Sequence, residues 1–388
     1  MRMPKRYAIL AVFVSLGTLL ALFMDPDASY AIGKVTATPS ADSEATPPEE
    51  LDIDQALEEV LDHIEARAYD DAIALADIIL QRDEESWKAY YYRGFARARS
   101  EAWEDAIGDY SAALDLRPGD SAIWRARGEL HLKNRNPRAA KGDYQQSLTV
   151  NPRATHTFSS LLRLHERDRD SKFRDLYQAI VAAARASAQG SGMKAISILD
   201  EAIASFDRGS TPPELGYAYF ARADIWIGRE DWDRALADLN RALELQPRMQ
   251  DYYMNRGYIY SLTERWDLAA PDFFQRMTLI EREALEARLS RNEPLTIDMD
   301  YALVARLQFE GQAGQLVSIS ARDNLGSGVD PLLVLLDVDA KPLVGDDDGG
   351  GQTDALIANY ELPADGVFTV MVSHANGGHK GKIRVTLR

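Results

Sequence analysis

Apolar and small residues keep a helical spacing along the first three quarters of the chain, then alternate strictly with polar ones from about Tyr301. In the helical part, Gly94 and Gly128, Ala72, Ala106 and Ala140, Tyr110 and Tyr144, and Pro118 and Pro152 recur 34 residues apart. Trp232 and Trp266, with Ala235 and Ala269, repeat that interval in a new phase. A fixed period of this length predicts antiparallel helix pairs that cannot bury their apolar faces alone and stack on copies of themselves. In the alternating part, Leu303, Ala305, Leu307 and Phe309, Val317 and Ile319, Phe368, Val370 and Val372, and Ile383, Val385 and Leu387 predict strands with one buried face.

Within a unit such as Trp87 to Pro118, the small Gly94 lies where the first helix meets its partner. Ala106 and Ala113 are small where the second helix packs back, so the backbones approach closely. An aromatic (Tyr69, Trp103, Trp232, Trp266) stands three residues before the first alanine of the second helix, and a proline closes the unit at Pro118. Five units fit, starting near Ile53, Trp87, Ser121, Gly216 and Gln250. These recurrences resemble the tetratricopeptide repeat family, which implies a helical solenoid with a concave binding groove.

Three units are expected over 51–153 and two over 215–292, the latter closed by a polar capping helix from Thr278 to Asn292. Trp103 and Trp232 are 129 residues apart, which is not a multiple of 34, so 154–214 is read as irregular. It is expected to hold a charged helix from Phe158 to Leu176 and a degenerate repeat from Leu176 to Phe206, with a bend.

Turn signals at Gly311 to Gly314, Gly326 to Gly328, Gly345 to Gly351, Pro363 to Gly366 and Asn376 to Gly378 space the strands of 294–388 as in a small antiparallel β-sandwich. The strings Ala313 to Ile319, Asp330 to Asp337, Asp346 to Gly349 and Ala364 to Val370 resemble the bacterial pre-peptidase C-terminal domain. That resemblance implies an auxiliary extracytoplasmic β-sandwich without catalysis of its own.

At the amino terminus, Arg2, Lys5 and Arg6 precede an uncharged apolar run from Tyr7 to Met24 and the small residues Ser29 to Ala31. Residues 1–31 are read as an export signal cut after Ala31, with an uncleaved membrane tether through 7–24 as the alternative. Residues 32–50, rich in Thr, Pro, Ser and acid, are read as a disordered linker. A periplasmic or extracellular location is expected. The net charge of -17 over 388 residues argues against nucleic acid as a partner. The absence of cysteine removes disulfides, thiolate metal sites and cysteine nucleophiles.

Catalytic chemistry is not indicated. No activated serine motif is present, and His63, His131, His156, His165, His374 and His379 show no metal-binding pairing. Asp337, Asp339, Asp346, Asp347 and Asp348 are read as flanking one turn, where carboxylate oxygens suit Ca²⁺; a solvated acidic hairpin is the favoured alternative, and no cofactor is expected. The repeat resemblance places a partner groove at the first-helix residues three before and one after each small residue. These are Tyr91, Phe95, Arg125, Glu129, Phe220, Asp224, Met254 and Tyr258. Lysine and asparagine, which relatives use to clamp a carboxyl terminus, are missing there, so an extended or helical peptide segment is the expected occupant. The function expected is a non-catalytic protein interaction scaffold; the alternative is a carbohydrate-binding or adhesive protein acting through the sandwich.

Overall fold

The computed structural model describes residues 52–165, 171–206, 211–281, 284–299, 304–323, 328–350, 354–375 and 381–388. The leader, the linker and His379 lie outside the described residues. The chain divides into two compact units, one ending at Asp143 and one beginning at Tyr144.

The first unit holds α1 (Ile53–Glu65), α2 (Tyr69–Arg82), α3 (Trp87–Arg99), α4 (Trp103–Leu116), α5 (Ser121–Lys133) and the start of α6 (Pro137–Val150). The Asp52 carboxylate caps α1 by accepting from the Asp54 and Gln55 amides, and Asp120 caps α5 in the same way. Each second helix begins on the residue whose recurrence marks the turn: Tyr69, Trp103 and Pro137. Two residues earlier Arg67, Glu101 and Arg135 adopt φ of 59°, 62° and 57°, the left-handed conformation that closes the tight turn between helices. Ala72, Ala106, Tyr110 and Ala113 are fully buried. A Cβ on Gly94 would stand 3.0 Å from both the Tyr110 ring and the Asp109 Cβ, so only glycine lets α3 lie this close to α4.

The second unit continues with α7 (Thr155–His165), α8 (Ser171–Ala188), α9 (Gly192–Ala204), α10 (Leu215–Ile227), α11 (Trp232–Leu245), α12 (Gln250–Leu262) and α13 (Trp266–Ile280). Of the charged helix expected over 158–176, residues 158–165 lie in α7 and 171–176 in the long α8, which packs on α9; residues 166–170 lie outside the described residues.

An arginine on the first helix of each of four repeats reaches an aspartate 16 residues on, in the second. In the first unit Arg93 bonds Asp109 and Arg127 bonds Asp143; in the second Arg222 bonds Asp238 and Arg256 bonds Asp272, with shortest separations of 2.6 to 2.7 Å. The same guanidinium also reaches the second helix of the preceding pair, at Asp77, Ser111, Asp200 and Asn240 respectively. It lies over the ring three residues earlier, at Tyr90, Trp124, Tyr219 and Tyr253. Each arginine therefore ties three helices together.

Among the described residues no capping helix follows α13. Glu281 leaves the helix with extended ψ and clamps Arg306 through two bonds of 2.6 and 2.7 Å, and the chain enters β1 (Leu285–Arg288), nine residues before the expected boundary. The stretch looked helical and polar because β1 is an edge strand with exposed side chains, which carries no apolar alternation. Then come β2 (Leu295–Asp298), β3 (Ala305–Gly311), β4 (Leu316–Asp323), β5 (Pro331–Leu336), β6 (Pro342–Asp346), β7 (Ala355–Glu361), β8 (Gly366–His374) and β9 (Lys382–Leu387). They form two sheets, ordered β1-β3-β8-β5-β6 and β2-β9-β4-β7, antiparallel except for the β1–β3 pair. Leu307, Ile319, Val370 and Val385 fill the space between them.

The outer face of the first sheet is also covered. Ala269, Phe273 and Met277 of α13 share a core with Leu332, Val334 and Leu336 of β5 and Met371 of β8. Burial on both faces is why β5 reads as an unbroken apolar run, all six residues buried, where β3 alternates. The sandwich takes the place of the polar cap that a repeat array otherwise needs.

Candidate functional site

Of the eight groove positions, those three before the small residue point toward the partner helix, because residues three apart share a helix face. Tyr91 and Phe220 are accordingly buried, as is Phe95, and Tyr91 packs on Tyr110 with ring centroids 5.6 Å apart. Arg125 is nearly buried and donates to Glu129 at 2.8 Å. Burial pushes the Tyr91 hydroxyl well above its usual value, so it stays protonated. Partly exposed side chains remain at Glu129 in the first unit and at Asp224, Met254 and Tyr258 in the second. The sequence placed all eight on one lining; the structure makes Tyr91, Phe95 and Phe220 packing residues.

In the second unit the exposed face of α10 and α12 is acidic and polar. Asp224 on α10 and Asp251 and Asn255 on α12 surround the guanidinium of Arg153, which comes from the loop between α6 and α7. Sequence reading missed Arg153, because a single arginine after Pro152 has no counterpart one repeat away. The arginine and aspartate ladder was legible: Arg93 and Arg127, Asp109 and Asp143, Arg222 and Arg256, and Asp238 and Asp272 all stand 34 apart.

A second polar cluster lies where α12 and α13 meet the ends of β5, β6 and β8. Burial lowers the Arg276 pKa while Asp251, Asp330 and Asp347 raise it, and its Nη2 donates to the Ala375 carbonyl at 3.2 Å. Burial, reinforced by Asp348, pushes the Asp330 carboxyl up to about 7; Arg276 opposes the shift. Burial and then Asp348, Asp346 and Asp330 push Asp347 up to about 8. Burial, then Asp347, Asp348 and Asp330, raise the Tyr258 hydroxyl.

The five aspartates expected to flank one turn, with calcium as the less favoured reading, fall into two groups, Asp337 and Asp339 apart from Asp346 to Asp348. Leu336 pairs with Pro342 and Leu333 with Asp346, so Asp337 and Asp346 sit at opposite ends of β6, roughly 13 Å apart at the strand rise. Asp337 accepts from the Asp339 and Lys341 amides, and Asp346 from Gly349 and Leu356, which spends these oxygens on the backbone. Among the described residues no group of three or more histidines and acids is arranged to hold a metal. His165 and His374 are buried, His165 packing on Phe173 and Tyr177. Among the described residues no helix is long and apolar enough to cross a membrane.

The raised carboxyls carry a pH dependence. Both Asp330 and Asp347 bind protons in the folded chain at pH values where the unfolded chain, near 3.9, has lost them. Their contribution is full below about pH 4 and is lost as pH rises through about 7 and 8. The melting temperature is expected to fall between pH 6 and pH 8.5, and Asp347→Asn should flatten that fall; an unchanged slope in the variant would contradict the assignment.

Residues 57–121 and 220–284 match the tetratricopeptide repeat family model. The FAM10 family protein At4g22670 of Arabidopsis thaliana is 32% identical over 110 residues, 28% of this chain and 25% of that relative, so the match spans about a quarter of the relative's length. Among solved structures, the APC/C hetero-tetramer Cut9-Hcn1 aligns with a TM-score of 0.30 at 14% identity, over 59% of this chain and 40% of that one. The TPR2AB-domain:pHSP90-complex of yeast Sti1 aligns with a TM-score of 0.28 at 18% identity, over 58% and 90%. The matched residues fold as helix pairs of tetratricopeptide type, and a β-sandwich follows the last of them.

Proposed function

We propose that this protein is an exported, non-catalytic interaction scaffold that captures a peptide segment of a partner protein on the exposed faces of its first repeat helices. The observation that carries the reading is the face of α10 and α12, where Asp224, Met254, Asn255 and Tyr258 stay partly open beside the buried Phe220, Ala223 and Tyr252. Stacked repeats present such faces as continuous binding surfaces, and rigid aromatic and methionine side chains supply contact area at small entropic cost. In this reading Glu129, with Arg125 beside it, serves the first unit in the same way. The carboxy-terminal sandwich acts as an auxiliary module of pre-peptidase C-terminal type that covers the apolar face of α13. Export rests on the basic start and the apolar run of 7–24; a mature protein that keeps Met1 and stays in the cytoplasm would contradict it.

The test is a peptide display selection on the full chain. Selected peptides should bind Met254→Ala/Tyr258→Ala at least about tenfold more weakly than the parent. Met254 also packs against the core that α13 shares with the sheet, so the double variant should melt somewhat lower, while Tyr258→Ala alone should weaken binding and melt near the parent. Peptides that bind the double variant as well as the parent would contradict this site.

A further inference from the structure

The Arg153 guanidinium is held by more than a surface ion pair. Its Nε and Nη2 donate to the two carboxylate oxygens of Asp224 at 2.7 and 2.8 Å, a planar two-bond fork. Nη1 donates to Asp251 at 3.2 Å and Nη2 also to the Asn255 side-chain oxygen at 3.3 Å. The plane lies over the Phe220 ring, 4.7 Å from its centroid. Every one of these receptors belongs to α10 or α12, and they fix one another: the Asn255 amide donates to Asp224 at 2.7 Å, and Phe220 stacks on the buried Tyr252 at 4.5 Å.

The occupant is fastened differently. Arg153 sits in a turn in which its own amide donates to the Asn151 side chain, 71 residues from Asp224 in sequence, and its side chain is 44% exposed. Two carboxylates face the Arg153 guanidinium, and Asp251 is shared with the buried Arg276. Receptor and occupant are thus separable: two packed helices supply the site, and a loop supplies the cation. A fork of donors on a flat cation that stacks on a phenyl ring selects arginine over lysine, whose ammonium is a compact point charge.

We propose that Phe220, Asp224, Asp251 and Asn255 form a guanidinium-recognition site which Arg153 fills as an internal plug, and which an arginine of the partner segment occupies by displacing it. The partner half of this inference rests on the peptide-capturing reading above; the site itself does not. Displacement is harder than simple binding, because a tethered occupant acts at an effective concentration in the millimolar range for a short link. A partner that also engages the neighbouring Met254 and Tyr258 can meet that competition.

Arg153→Ala in the full chain empties the site, and L-argininamide and L-lysinamide at millimolar concentration serve as probes. Arg153→Ala should melt lower than the parent, and L-argininamide should raise its melting temperature more than it raises the parent's, by mass action on the folded state. L-lysinamide should not, and Arg153→Ala/Asp224→Asn should lose the response. Should Arg153→Ala fail to fold, Arg153→Lys keeps the charge and should show the same preference for L-argininamide. Equal responses of parent and variants, or equal responses to the two probes, would overturn the site without touching the peptide reading. Arginine-bearing peptides from the selection should bind Arg153→Ala at least about tenfold tighter than the parent; equal affinity would overturn displacement.

Discussion

Phe273→Ala is expected to lower the unfolding free energy by about 3 to 5 kcal/mol, the range for truncating a fully buried phenylalanine. The ring is completely buried in the core shared by α13 and the first sheet, against Leu332 and Met371. It also fills two gaps left by glycine. A Cβ on Gly257 of α12 would come within 2.7 Å of the ring, and one on Gly345 of β6 within 3.1 Å. Met277 and Met371 line the same core and can close part of the cavity, which keeps the cost within that range. Because helix and sheet share this core, denaturant unfolding of the variant followed by helical and aromatic signals should separate into two transitions. A single transition with a loss under about 1 kcal/mol would contradict the shared core.

Asp109→Ala is expected to cost about 3 kcal/mol or more, the range for removing one partner of a buried ion pair. The carboxylate side chain is only 3% exposed and takes bonds from both Arg93 and Arg97. Without it, Arg93 keeps Asp77 and the Tyr90 ring and loses its hold on the second helix of its own repeat. The desolvated guanidinium then stands partly unmatched, and this penalty exceeds the worth of the pair itself. In chemical denaturation Arg93→Met/Asp109→Leu should recover much of the loss, since the more buried guanidinium is gone and Arg97, a quarter exposed, can turn to water. Equal losses in the single and double variants would contradict it.

The sequence made the division into helix pairs and strands legible because both are periodic: the 34-residue recurrence fixes the helices that begin at Tyr69, Trp103, Trp232 and Trp266, and alternation marks β3 and β9. Features without a period were not legible. Edge strands β1 and β2 face solvent on one side and hide in polar sequence. In β5 the missing alternation was itself the signal of a second covered face, though the run names no partner; only the fold shows that α13 covers it. At the candidate site, the rule that residues three apart share a face would have sent Tyr91 and Phe220 into the core from sequence alone. Arg153 was invisible because its contacts join a loop to helices 71 and 98 residues away, which no local pattern encodes.

The most direct test of the scaffold reading uses the methionines as reporters, since six of the chain's nine lie beyond residue 31 and are spread over both folds. Methyl-labelled methionine spectra of the full chain, titrated with a display-selected peptide, should show Met254 on α12 shifting while Met299 and Met371 in the sandwich keep their positions. Shifts at Met299 and Met371 with Met254 unmoved would place the binding on the sandwich and contradict peptide capture by the repeats.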